Sequence, residues 1–174
     1  DTGFSNMYLA LETLPEVLRS AIKGRTIKHD NSHNSAGELR RGSLPVTDVR
    51  TSPGNSHPIV RTHPETGRNA LFLGRRPHAY VNGLGVEESE ALLDQLWQHA
   101  GRAELTWHHQ WRPGDILAWD NRCTLHRRDG FDPTQRRVMH NTHCKGSRPA
   151  EERESWSRPP HPRGHLAHNA ARSG

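Results

Sequence analysis

Between Trp119 and His140 the chain reads WDNRCTLHRRDGFDPTQRRVMH, and two of its side chains, His126 and Arg137, stand eleven positions apart. A neutral imidazole is a ligand for a transition metal. A guanidinium offers a carboxylate a two-pronged, charge-assisted contact that lysine does not reproduce. With strand-like hydrophobic residues on either side, the pair suits a pocket that takes a metal and a carboxylate together. The same stretch holds softer donors: Cys123 and His126 are three apart, and His140, His143 and Cys144 follow. That is enough for a tetrahedral zinc site. On strands, however, a spacing of three sends the members of each pair to opposite faces, which weighs against zinc. Asp120 and Arg122 are placed for a local ion pair that fixes a strand end, and Trp119 suits core packing.

Elements must position these residues, and hydrophobic periodicity marks several. Over residues 4–23, Met7, Leu11 and Leu14 share one helical face, and Val17, Leu18 and Ile22 continue it after Pro15. Pro15 opens a second helix and Gly24 ends it. Residues 26–29 read as a short strand. Residues 30–58 are rich in Asn, Ser, Gly and Pro with almost no apolar periodicity, which reads as a lid or an ordinary surface excursion. Residues 59–63 and 69–73 read as strands joined by the HPETGR turn. Residues 87–100 give the clearest helix, with Leu92, Leu93, Leu96 and Trp97 inward. Strands are expected at 105–110, at 116–119 after the RPGD turn, and at 136–143. From Ser147 onward arginine, proline, glutamate and histidine dominate, as in a poorly ordered tail.

Composition narrows the classes. The 174 residues are 31% hydrophobic, and the mean hydropathy is −0.94, low for a compact unit of this length. The formal charge of +5 leaves 14 histidines uncounted. A basic chain attracts anions, but the arginines are scattered in pairs without aromatic interleaving, which disfavours nucleic acid. Two cysteines argue against a disulfide scaffold and suit a reducing cytoplasm. Nothing approaches the length of apolar chain that a membrane span needs.

The 119–140 stretch, with its WDNR, CTLHRR and QRRVMH segments, resembles the C-terminal signature of the taurine dioxygenase family, the Fe(II)- and 2-oxoglutarate-dependent oxygenases. The opening Asp1-Thr2 resembles the end of that family's GGDT motif. The resemblance covers about residues 1–146 and implies a mainly β fold with flanking helices: a double-stranded β-helix, or jelly roll, incomplete at its N-terminus. It implies that His126 is the distal metal ligand, one of a two-histidine, one-carboxylate set. It implies further that Arg137 and Thr2 hold the distal carboxylate of 2-oxoglutarate, and that Trp119 lies close to the metal pocket. No HxD triplet, the family's source of the other two ligands, occurs in the chain. The expectation is that it lies upstream and that the chain begins part-way through a domain. Where the taurine enzymes carry a sulfonate-binding arginine, four positions after the 2-oxoglutarate arginine, this chain has Asn141. Taurine itself is therefore disfavoured; a neutral substrate, another small sulfonate or carboxylate with a different anion anchor such as His140 or His143, and an impaired enzyme all stay open. The implied reaction couples O2 and 2-oxoglutarate to hydroxylation of a small organic substrate, releasing succinate and CO2. The rival expectation is a non-catalytic, truncated or degenerate relative that keeps the fold without binding iron. The resemblance allows a homo-oligomer.

Overall fold

The computed structural model describes residues 1–34, 37–74, 78–130, 132, 134, 136–146 and 149–151. Among these residues nine short strands and three α-helices appear in the order β1 (Thr2–Asn6), α1 (Met7–Glu12), α2 (Glu16–Ile22), β2 (Thr26–Lys28), β3 (Ser56–Pro58), β4 (Val60–Thr62), β5 (Asn69–Leu71), β6 (Tyr80–Val81), α3 (Val86–Ala100), β7 (Thr106–His109), β8 (Thr124–Arg128) and β9 (Ala150–Glu151). They form three antiparallel three-stranded sheets, ordered β7-β1-β8, β3-β2-β6 and β5-β4-β9.

The helices bury what their periodicity predicts, with one exception. Met7, Leu11 and Leu14 are buried, as are Leu92, Leu93 and Leu96 of α3, and Trp97 packs half-buried at their edge. Together with Ile22, Ile27, Ile59, Leu71 and Val81 they make one contiguous core under the sheets. Val17 does not join it: it is 80% exposed, because α2 spans only seven residues and turns Leu18 and Ile22 inward instead. Pro15 caps α2, and Gly24 takes a positive φ of 68° just beyond the helix, the left-handed turn that glycine adopts freely.

Three further expectations need correction. Residues 4–6 belong to β1 rather than to the first helix. Pairing with β7 on one side and β8 on the other overrides helical periodicity up to Asn6, whose side chain then accepts from the amides of Tyr8 and Leu9 and starts α1. Residues 116–119 form no strand, and Ile116 is 96% exposed. Residues 136–143 also form no strand: the described part of that segment is irregular. β9 lies within the stretch read as a tail and pairs with β4; Ser147, Arg148 and residues 152–174 fall outside the described residues.

The polar segment 30–58 is tied down at its ends. Backbone bonds run from His29 N to Asn55 O (2.9 Å) and from Asn31 N to Pro53 O (2.8 Å), and β3 closes it against β2. Between these bonds sits Gly54 with φ 153°, where an added Cβ would lie 1.8 Å from His29 O. At the other end Asp30 is buried and accepts from Ser32 and His33. Burial alone would raise the Asp30 pKa, but these hydrogen bonds outweigh it and hold the carboxyl below its ordinary value.

Candidate active site

The sheet β7-β1-β8 carries the site. Phe4 faces Trp107 on one side and His126 on the other, while Thr2 faces His109 and Arg128. Because side chains alternate along a strand, Thr2, Phe4, Trp107, His109, His126 and Arg128 project from one face. Gly3, Ser5, His108, Leu125 and Arg127 take the other. Thr2 and His126 are diagonal neighbours, a relation that sets such residues about 7–8 Å apart. Gly3 lies close under the next strand, since a Cβ there would meet the His108 ring at 3.0 Å.

Thr2 is buried, and its Oγ1 accepts a 2.8 Å hydrogen bond from the Trp111 indole. An indole only donates, so the Thr2 hydroxyl keeps its own proton for another acceptor. Trp111 is braced in turn. The His109 ring meets it edge-on at 4.6 Å, and Asp115 of the RPGD turn bonds both His109 Nε2 (3.0 Å) and the Arg112 amide (2.9 Å). Trp111 went unnoticed in the sequence because WRPGD reads as a turn; only the fold brings its indole back onto Thr2.

His126 is exposed on β8, its ring 6.3 Å from Phe4 and 5.1 Å from Trp119. Trp119 is half-buried; its ring meets Phe4 at 5.2 Å and its indole donates to Asn121 Oδ1 at 2.9 Å. The structure thus gathers Thr2, His126 and Trp119 around Phe4. Arg137 and Asn141 sit on the irregular segment instead, Arg137 half-buried and Asn141 exposed, and neither belongs to a strand.

The anticipated Asp120–Arg122 ion pair is present at 2.6 Å. Among the described residues the one cluster of three ligand-type side chains is His63, Asp120 and Cys123, their donor atoms within 4.8 Å of one another. It is a poor cation site. His63 Nδ1 accepts the amides of Glu65 and Thr66, so the ring's single neutral proton sits on Nε2 and is donated to Asp120 Oδ2 at 3.0 Å. Both Asp120 oxygens already accept from Arg122, and the buried Arg61 guanidinium lies close by. Arg122's hydrogen bonds pull the Asp120 carboxyl well below the usual carboxylate range, against its partial burial, and His63 adds to the effect. The HxE spacing of His63 and Glu65 is committed likewise, because Glu65 pairs with Arg122 at 2.9 Å. The zinc donors beyond Cys123, namely His126, His140, His143 and Cys144, join no such cluster among the described residues.

An imidazole thus stands on an aromatic strand face, with a buried hydroxyl diagonal to it. Residues 1–143 match the model of the taurine catabolism dioxygenase TauD, TfdA family, and the chain belongs to that family. It is similar to the (S)-phenoxypropionate/alpha-ketoglutarate-dioxygenase of Sphingobium herbicidovorans, 38% identical over 157 residues that cover 87% of this chain and 54% of the relative. It is also similar to the alpha-ketoglutarate-dependent 2,4-dichlorophenoxyacetate dioxygenase of Cupriavidus pinatubonensis, 37% identical over 80% of this chain and 48% of that one. Among solved structures it resembles AAD-2 in complex with Mn(II) and N-oxalylglycine, with TM-score 0.64 and 29% identity over 80% of this chain and 54% of the other. The chain spans about half the length of the curated relatives it matches. No helix among the described residues is long and apolar enough to cross a membrane.

Proposed function

We propose that residues 1–146 are the C-terminal part of a double-stranded β-helix (jelly-roll) dioxygenase that uses Fe(II), 2-oxoglutarate and O2. The observation that carries this reading is the shared face of Thr2 and His126. A metal-ligand imidazole and a carboxylate-binding hydroxyl must face one pocket, and alternation on β1 and β8 supports the reading by putting His126 and Thr2 on one strand face. In this chain His126 is one iron ligand, and the remaining ligands come from elsewhere in the full-length protein. When bound, the iron and its cosubstrate supply the oxidising power that hydroxylates a substrate C–H bond, with succinate and CO2 as by-products.

The chain's own residues orient and exclude. Thr2 donates its hydroxyl proton to the distal carboxylate of 2-oxoglutarate, and Trp111 fixes the rotor so that this proton points away from the indole. Arg137 supplies the matching cation, two-pronged where a lysine would be a point charge. Phe4 and Trp119 put aromatic rings against His126, and Trp107 stacks on the Phe4 ring. Asn141 offers a neutral hydrogen bond where the taurine enzymes place a cation, which argues against taurine; the choice of an aryloxyalkanoate or a related small carboxylate rests on other grounds. The aromatic wall and the names of the two phenoxy-acid relatives both favour that class. The 30–58 segment, anchored at both ends, is suited to act as a lid. The compartment is a reducing cytoplasm, and the assembly is a homo-oligomer.

The test is 2-oxoglutarate-dependent succinate formation by the full-length protein, with aryloxyacetate, aryloxypropionate, alkylsulfonate and taurine offered in turn. Succinate formed in step with an aryloxy acid and not with taurine is expected. Taurine as the best substrate would overturn the substrate class, and no coupled succinate with any of them would overturn the activity.

A further inference from the structure

The hairpin β4–β5 grips the turn from which the candidate metal-ligand strand emerges. Three of its side chains take part. Arg61 donates to the carbonyls of Arg122 (2.9 Å) and Asn121 (3.1 Å), His63 donates to the Asp120 carboxylate, and Glu65 pairs with Arg122. On the turn itself Asp120 accepts the Arg122 amide at 2.8 Å and its guanidinium at 2.6 Å, and the Cys123 amide donates to the Asp120 carbonyl. β8 begins at the next residue, and His126 is its third. Trp119, whose ring lies against His126, directly precedes Asp120. A rotation of this turn therefore moves the imidazole and its aromatic neighbour together.

We infer that His63 is a positioning residue for the His126 metal ligand, acting through the Asp120 carboxylate. The inference rests on reading His126 as a ligand. His63 is suited to the task because both of its nitrogens are committed in opposite directions. Nδ1 caps the turn of its own hairpin, and the proton on Nε2 reaches across to the other loop, so the ring links two loops in one tautomer. Partners hydrogen-bonded to a ligand control affinity through geometry, and losing one costs about 10- to 100-fold; His63 acts one contact further out, so its loss belongs at the lower end of that range.

The two jobs of the ring are separable. In His63→Asn the side-chain oxygen still accepts the Glu65 and Thr66 amides but is too short to reach Asp120. In His63→Gln the amide nitrogen reaches Asp120 but nothing replaces Nδ1. The experiment measures Co(II) affinity and the Co(II) visible spectrum of the full-length protein with 2-oxoglutarate, beside the thermal midpoint of each variant. Expected is a loss of about tenfold in Co(II) affinity with a shifted visible band for His63→Asn. His63→Gln is expected to lower the midpoint yet bind Co(II) within about twofold of wild type. Equal losses in both variants, tracking their midpoints, would reduce the network to fold stability and overturn the inference. So would full affinity in His63→Asn while His126→Ala binds no Co(II). Undiminished binding by His126→Ala would instead sink the ligand reading, and the inference with it.

Discussion

Thr2 is the residue whose role changes most between sequence and structure. At a chain start it draws attention only through resemblance to GGDT. In the fold it is buried, strand-paired on both sides and oriented by an indole. Replacing it with valine keeps the shape and removes the donor. Since a hydrogen bond to a charged group contributes about 1.5–3 kcal/mol, 2-oxoglutarate affinity in the full-length protein should fall roughly ten- to a hundredfold, read by calorimetric titration. Trp111→Phe keeps the ring and frees the hydroxyl to rotate, so a smaller loss is expected, about two- to tenfold. A Trp111→Phe protein that binds 2-oxoglutarate as tightly as wild type would show that the indole does not orient Thr2. His126 stands out in the sequence because its neighbours form a motif. Trp111 does not, because a contact between residues 2 and 111 exists only once β1 and β7 have paired.

At the scale of elements, legibility followed how much of the deciding information was local. α3 carries a full apolar stripe, and its limits fell within a residue of the pattern. Residues 4–6 read as helix because they run straight into the face of Met7, Leu11 and Leu14; only the two flanking strands make them part of β1. The segment 136–143 offered Val138 and Met139 as its apolar content, and both are exposed. That pattern cannot anchor a ladder without a core to bury into. Leu93, fully buried in α3, should cost about 2–5 kcal/mol on replacement by alanine. Val17→Ala should stay within about 0.5 kcal/mol of wild type. Denaturant midpoints compare the two, and similar costs would contradict the assigned helix faces. Gly54 tests the anchoring of the 30–58 segment. An alanine there must push its Cβ out of the His29 carbonyl from a backbone conformation that L side chains rarely adopt. A loss of about 2–3 kcal/mol is expected. An unchanged midpoint would mean that residues 53–55 do not pack against residues 29–31.

The whole molecule is a basic, histidine-rich chain whose acid stability rests on a few committed carboxylates. Asp120 and Asp30 both hold their protons off below the ordinary carboxylate range when folded. The unfolded chain takes up those protons near pH 3.9, so their contribution is present above about that pH and is lost as pH falls through the lower folded values. Thermal midpoints of wild type should thus drop steeply below about pH 4, and Asp120→Asn should start lower at neutral pH and fall less steeply. Parallel curves would show that Asp120 is not linked to folding. Family membership, by contrast, was legible almost entirely from residues 119–140, whose WDNR, CTLHRR and QRRVMH segments carry the resemblance. The substrate stays less constrained by them, because one anchor position has become Asn141. The central claim is that His126 serves an iron site shared with 2-oxoglutarate. Its most direct measurement is an anaerobic Fe(II) titration of the full-length protein with 2-oxoglutarate, following the visible charge-transfer band of the chelated cosubstrate. The band should appear in wild type, vanish in His126→Ala and require higher 2-oxoglutarate in Arg137→Ala. A soluble, folded wild-type protein that gives no band, or a His126→Ala protein that keeps it, would contradict the account.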